Sequence, residues 1–195
     1  MLSSLITIVY AIIIIVLVPV FLSLEIASRK SRVYAAPSTP WMRRLVIARL
    51  KEEAAALDKK DPVIYELGAA WGTLALAAAR ACPDARIIGY DLAGVPLMVA
   101  RWRARLGGIK NVTFIKADFF KQDLSDADIA LTYLTENLMS ELGEKAMREM
   151  KSGTLLICNT FGIRGWTPVR VDRGQKRILK LDVLTYRLPE SLPRG

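Results

Sequence analysis

The chain has 195 residues, 52% of them apolar and 24% charged, a balance that excludes a disordered chain and leaves room for one well-buried domain with an appendage. It has no histidine, which removes imidazole bases, Ser-His-Asp triads and His-ligated metals. Its two cysteines, Cys82 and Cys158, lack CxxC spacing and argue against a disulfide framework or a zinc site, so no metal is expected.

The net charge of +9 is uneven. Residues 25–60 carry nine basic and four acidic groups, 61–158 eleven and twelve, and 159–195 eight and three. The excess therefore lies near the N-terminus and in the tail, which suits an anionic lipid leaflet at about 1 kcal/mol per nearby Lys or Arg. A nucleic-acid surface is the other reading of such charge. No aromatic-interleaved basic stripe supports it.

From Met1 to Leu24 there is no charged side chain, and about 20 apolar residues suffice to cross a bilayer core. A secretory signal would want a basic residue ahead of a shorter apolar stretch, and the first Lys or Arg here is Arg29. The expectation is a transmembrane anchor over 1–24. Arg29, Lys30 and Arg32 follow it, so the positive-inside rule places the N-terminus outside and the rest of the chain in the cytoplasm, as a single-pass membrane protein.

Residues 25–40 read as a basic connector rich in Pro and Ser, and 41–195 as the domain. Its first element is an amphipathic helix over "WMRRLVIARLKEEAAALDKK", with Trp41, Leu45, Ile47, Ala48, Leu50, Ala54 and Leu57 at near-helical spacing. Packing on the domain is favoured over lying on a membrane surface. Strands are expected at Val63–Leu67, Arg86–Tyr90, Val112–Lys116, Ile129–Leu134 and Thr154–Asn159. Helices fall between them near Gly72–Ala81, Pro96–Leu106 and Leu138–Met150. Apolar β-branched runs alternating with helical patterns indicate an α/β fold, a doubly wound parallel sheet. The closing stretch "VRVDRGQKRILKLDVLTYRL" holds two alternating segments around Asp172-Arg173-Gly174, read as a hairpin that adds an antiparallel edge.

In such sheets ligands bind beyond the carboxyl ends of the strands. Glu66-Leu67-Gly68-Ala69-Ala70-Trp71-Gly72 follows the first strand, where Gly68 and Gly72 allow a tight turn and the next helix offers free N–H groups. By itself this pattern also fits close packing with no ligand. Asp91 ends the second strand, 23 residues after Gly68, a spacing suited to a carboxylate that accepts ribose hydroxyls or, alternatively, to a helix cap. Asp118 ends the third strand beside Phe119 and Phe120, placed to accept from an adenine amino group or to serve as an ordinary strand-end aspartate.

The order of E-L-G-x-x-x-G, G-Y-D, K-A-D-F-F and a fourth strand ending in Tyr133 resembles the class I, seven-stranded S-adenosylmethionine-dependent methyltransferases. More narrowly it is similar to the lysine methyltransferases that include the archaeal broad-specificity enzyme and the membrane-anchored ATP synthase c-subunit enzymes. The resemblance runs from about Ala36 to Arg187, with "DLSDAD" and "GWTP" its most specific stretches. It implies a seven-stranded Rossmann-like sheet and S-adenosyl-L-methionine as cofactor. Glu66, Gly68 and Gly72 would frame the methionine part, Asp91 the ribose and Asp118 the adenine. By the same resemblance Thr39 and Pro40 help close over the site, Tyr133 and Asn137 stand where the substrate lysine meets the methyl group, and Trp166 with Pro168 matches a late motif. The implied partner is a protein bearing a lysine, in particular a membrane protein.

Relatives carry D-x-G-x-G-D-G in the first turn, whereas Glu66, Ala70 and Trp71 stand here at the first acid, the middle glycine and the second acid. They carry an acid after the fifth strand, where this chain has "CNTF" at Cys158–Phe161. These departures motivate an alternative: a catalytically degenerate methyltransferase fold acting as a membrane-bound scaffold. A nicotinamide oxidoreductase fits Gly68 and Asp91 but lacks G-x-G-x-x-G.

Overall fold

The computed structural model describes residues 2–31, 39–176 and 179–189. Strands β1 (Val63–Leu67), β2 (Arg86–Asp91), β3 (Val112–Lys116), β4 (Ile129–Thr132) and β5 (Leu155–Asn159) are parallel. β6 (Arg170–Lys176) and β7 (Leu179–Arg187) complete one sheet in the order β3-β2-β1-β4-β5-β7-β6, with β7 antiparallel to both of its neighbours. β1, β4 and β5 are buried along their whole length. That is why they read as continuous apolar runs rather than alternating ones.

Alternate residues of each strand feed two cores. Ile64, Ile87 and Leu131 face a layer of three helices, α2 (Pro40–Ala56), α3 (Thr73–Ala81) and α4 (Gly94–Leu106). Tyr65, Leu67 and Leu156 face α5 (Glu136–Glu149) through Met139, Leu142 and Ala146. The order reverses between β1 and β4, and this places the turns after β1, β2, β3 and β4 side by side at one edge of the sheet.

The "DLSDAD" stretch lies at the opposite end. Asp128, just before β4, pairs with Lys59 and Lys151 and accepts from the Val63 N–H at 2.7 Å. Asp126 accepts from the Tyr65 hydroxyl. Trp166 is buried edge-on against Tyr186 with ring centroids 5.9 Å apart. Asp126, Asp128 and Trp166, from the two most specific stretches of the resemblance, thus serve the fold here.

Three expectations are corrected. In α2, Leu50 is buried, and Trp41, Leu45, Ile47, Ala54 and the C-cap Leu57 pack partly buried on the core as expected. The deepest residues also include Met42 and Val46, however, while Ala48 is exposed and Arg49 is buried rather than on the charged face. A long-range partner explains the last: the Arg49 guanidinium donates two 2.7 Å bonds to Asp172 of β6, and the pair holds the Asp172 carboxyl below its usual range. Asp172-Arg173-Gly174 is no turn but the interior of β6, where the pairing with β7 runs on to Lys176 and Leu179. A Cβ on Gly174 would stand 2.4 Å from the Leu181 carbonyl oxygen and 2.7 Å from the Trp41 ring, so this glycine serves close packing of α2.

The third concerns the N-terminus. Helix α1 (Leu2–Ser31) contains the apolar stretch and Pro19 and runs on into the basic residues, alongside α4. Among the described residues no helix is long and apolar enough to cross a membrane. The span expected over 1–24 is therefore unsupported. The connector beyond Ser31, residues 32–38, lies outside the described residues.

Asp172→Ala should destabilise the fold by about 2 kcal/mol, below the ~3–5 kcal/mol typical of a broken buried pair, because Arg49 keeps Glu52 at 2.8 Å and Glu53 at 3.6 Å. Urea unfolding at neutral pH measures it.

Candidate active site

β1 ends in a turn whose backbone is left-handed three times, at Gly68 (φ 90°), Ala70 (φ 43°) and Gly72 (φ 68°). An alanine there costs roughly 1–2 kcal/mol that a glycine would not. The compensation comes from β2. Asp91 accepts the Ala70 N–H on Oδ2 and the Ala93 N–H on Oδ1, each at 2.7 Å. The Tyr90 carbonyl accepts from both Gly68 N (2.9 Å) and Ala69 N (2.8 Å). The turn after β1 is thereby stitched to the end of β2, and the alanine that departs from the family pattern is held by its own hydrogen bond. From α4, Arg103 Nη1 donates to the carbonyl of half-buried Trp71 at 2.9 Å.

The two glycines differ in what they permit. A Cβ on Gly72 would stand 2.6 Å from Ala100 Cβ and 2.7 Å from the Phe114 ring, so Gly72 lets α3 close on α4 and β3. A Cβ on Gly68 would meet only Leu134 Cδ2, at 3.2 Å, from the loop after β4. Gly68 is the one that keeps space open between the turns.

Glu66 is buried at the end of β1 and accepts the Ala75 N–H of α3 at 2.8 Å. Burial pushes its carboxyl up to about 8, against the pull of that bond. Burial also raises Asp91, while the N–H groups of Ala93, Ala70 and Leu92 draw it back. Asp118 is half-buried and accepts the Phe120 N–H at 3.0 Å, which folds Phe119–Lys121 into a short 3-10 turn with the two phenyl centroids 4.3 Å apart. Tyr133 is half-buried after β4, and Asn137 is exposed in the first turn of α5. Thr39 is exposed at the N-cap of α2. One turn on, Arg43 shares a cavity with Thr73, the first residue of α3.

Gly68, Asp91, Asp118 and Tyr133 therefore gather at neighbouring strand ends, whereas Glu66 and Gly72 shape the turn from beneath. Sequence reasoning missed Arg103 and Leu134. Nothing local marks Arg103, which lies 32 positions from the carbonyl it holds.

A family model for the ANTKMT methyltransferase domain matches residues 66–170, more than half of the chain. The chain belongs to this family. A curated protein-lysine N-methyltransferase from Saccharolobus islandicus is 26% identical over 146 residues, covering 74% of this chain and 89% of its own. Among solved structures, an RNA methyltransferase from Salinibacter ruber in complex with S-adenosyl-L-homocysteine superposes with a TM-score of 0.67 at 25% identity, over 82% of this chain and 98% of that one. The magnesium protoporphyrin IX methyltransferase of Synechocystis, with bound S-adenosylmethionine, shares the fold at 15% identity and a TM-score of 0.57, over 81% and 88% of the two chains. The protein is an S-adenosylmethionine-dependent methyltransferase.

The residues present suit that cofactor. An ionised carboxylate accepts about four hydrogen bonds, so Asp91 keeps capacity for a ribose hydroxyl after serving Ala70, Ala93 and Leu92. Gly68 leaves open the space its Cβ would take, and half-buried Phe120 supplies apolar surface next to Asp118, with Phe119 buried in the core behind it.

Because Glu66 is raised from 4.5 to about 8, the folded chain holds a proton there that the unfolded chain has released. Its contribution to stability is complete below about 4.5 and is lost as the pH rises through about 8. Glu66→Gln stays neutral and keeps the acceptor for Ala75. Urea midpoints should fall between about pH 5 and 8 in the parent chain and much less in the variant; equal slopes would mean Glu66 is ionised in the fold.

Proposed function

We propose that this methyltransferase is a protein-lysine N-methyltransferase tethered to a membrane by α1, with its domain on the cytoplasmic side and a membrane-proximal lysine of another protein as its substrate. The observation that carries the reading is the grouping of Gly68, Asp91, Asp118 and Tyr133 at adjacent strand ends, joined to a relative that is named for lysine methylation. The tether rests on the uncharged run Met1–Leu24, the basic residues after it and the exposed apolar side chains of α1.

Bound S-adenosylmethionine supplies a methyl group on a sulfonium, which an amine accepts in line. Amine methylation asks the chain mainly for alignment at about 3 Å, worth several powers of ten in rate, and an absence of histidine is no obstacle. Asp91 would hold the ribose and Asp118 the adenine, while Thr39 and Pro40 at the start of α2 would help cover the site. Tyr133 and Asn137, on either side of the β4–α5 loop, would orient the lysine amine, with Glu136 as a further acceptor. The lysine must be neutral to react, and partial desolvation beside a positive charge lowers its pKa.

The full chain in detergent, incubated with methyl-labelled cofactor and membrane extract, should place label on lysine. Label confined to RNA would replace the substrate class, and no calorimetric binding at millimolar cofactor would leave a scaffold. Asp91→Ala should weaken cofactor binding by more than about tenfold, since it removes both the ribose acceptor and the bond that holds Ala70. Unchanged affinity would overturn the ribose assignment.

A further inference from the structure

Outside the strand ends, the layer of α2, α3 and α4 carries a groove of about 520 Å³. Its floor is α3, with Thr73 and Ala77, and its rim bears Arg43 and Lys51 from α2, Arg80 from α3 and Arg103 from α4. Among the described residues no acid lines it. The acids of α2 pair elsewhere: Glu52 with Arg49 and Arg170, Glu53 with Arg49 and Arg187. Four cations from three helices thus converge on a concave surface with no acid among its described lining residues.

Beside this groove α4 exposes an apolar stripe. Met98, Trp102 and Leu106 follow one another at i, i+4 and i+8 and are 60%, 64% and 71% exposed. Trp102 adjoins Arg103, one helical step of about 100° around the axis, so the stripe lies on the face of α4 next to the one that borders the groove. The apolar helix α1 runs alongside the same α4. Three exposed large apolar side chains in line, next to a basic concavity, form an interaction surface rather than scattered surface residues. The pairing of an apolar stripe with flanking cations is that of an interfacial helix, its apolar side chains at the acyl boundary and its cations at the phosphates. A polynucleotide would match the cations and leave the stripe and α1 without a role.

We infer that the α2–α3–α4 face docks on an anionic bilayer: Trp102, Met98 and Leu106 enter the interface and the groove takes lipid headgroup phosphates. This rests on the tethering part of the proposed function and not on its chemistry. It fixes the orientation of the domain, with the turn before Thr73 held close to the lipid surface. Substrates would then be lysines within reach of that surface.

The test uses the full chain in nanodiscs of phosphatidylcholine alone or mixed with phosphatidylglycerol, each prepared with and without brominated acyl chains. Subtracting the signal of Trp102→Phe removes Trp41, Trp71 and Trp166. Trp102 emission should be quenched by bromine in the anionic discs, and by several-fold less in the zwitterionic ones. The triple variant Arg43→Glu, Lys51→Glu, Arg80→Glu should lose that quenching while its cofactor affinity, read by calorimetry, stays within about twofold, showing that the fold is intact. Equal quenching in both lipids, or quenching that survives the triple variant, overturns the inference. So does a groove that binds inorganic phosphate or polyuridylic acid in detergent with no quenching in anionic discs. Co-flotation of the chain with phosphatidylcholine vesicles reports the tether, and lysine labelling in detergent reports the reaction, so the three claims fail separately.

Discussion

The carboxylate of Asp91 holds the arrangement at the strand ends together. One oxygen fixes Ala70, whose left-handed backbone is unfavourable for any residue with a Cβ, and the other fixes Ala93 at the entrance to α4. A side chain from β2 therefore sets the shape of the turn after β1 and the start of the helix after β2. With the Tyr90 carbonyl taking Gly68 and Ala69 N–H groups, the turn follows β2 rather than its own sequence. This is why the loss of a glycine at position 70 leaves the turn formed: strain of about 1–2 kcal/mol is offset by a charge-assisted hydrogen bond of similar size.

That constraint divides the labour among the residues around it. Glu66 and Gly72 face inward, one to the first turn of α3 and the other to Ala100 and Phe114, and they hold the turn in place. Gly68, Asp91, Asp118 and Tyr133 face the shared edge. Arg103 links the Trp71 carbonyl to the groove between α2 and α4, so the turn is braced from outside the site as well. The same helix layer buries Arg49 against Asp172, tying α2 to the far edge of the sheet and framing the domain from β6 to α4.

A family pattern in a sequence mixes two kinds of residue. Here "DLSDAD" anchors Lys59, Lys151 and the amino end of β1, and Trp166 of "GWTP" packs against Tyr186 in the core below α5. The residues gathered at the strand ends are fewer and individually less distinctive: one glycine, two aspartates, a tyrosine.

The sequence by itself determined the five parallel strands to within a residue or two, the three helices between them, and the acids at the ends of β2 and β3. Those features depend on local periodicity and on the switch from strand to turn, which a short window contains. It also contained the closing pair of strands but put the bend at Asp172-Arg173-Gly174, because glycine reads locally as a turn. Only the tertiary structure decided that Gly174 lies within β6 to admit Trp41, that Arg49 is buried by a partner 123 residues away, that Ala70 is tolerated, and that cations from α2, α3 and α4 form one groove. Each of these is a contact between distant segments, and its free energy exists only once the sheet has brought them together.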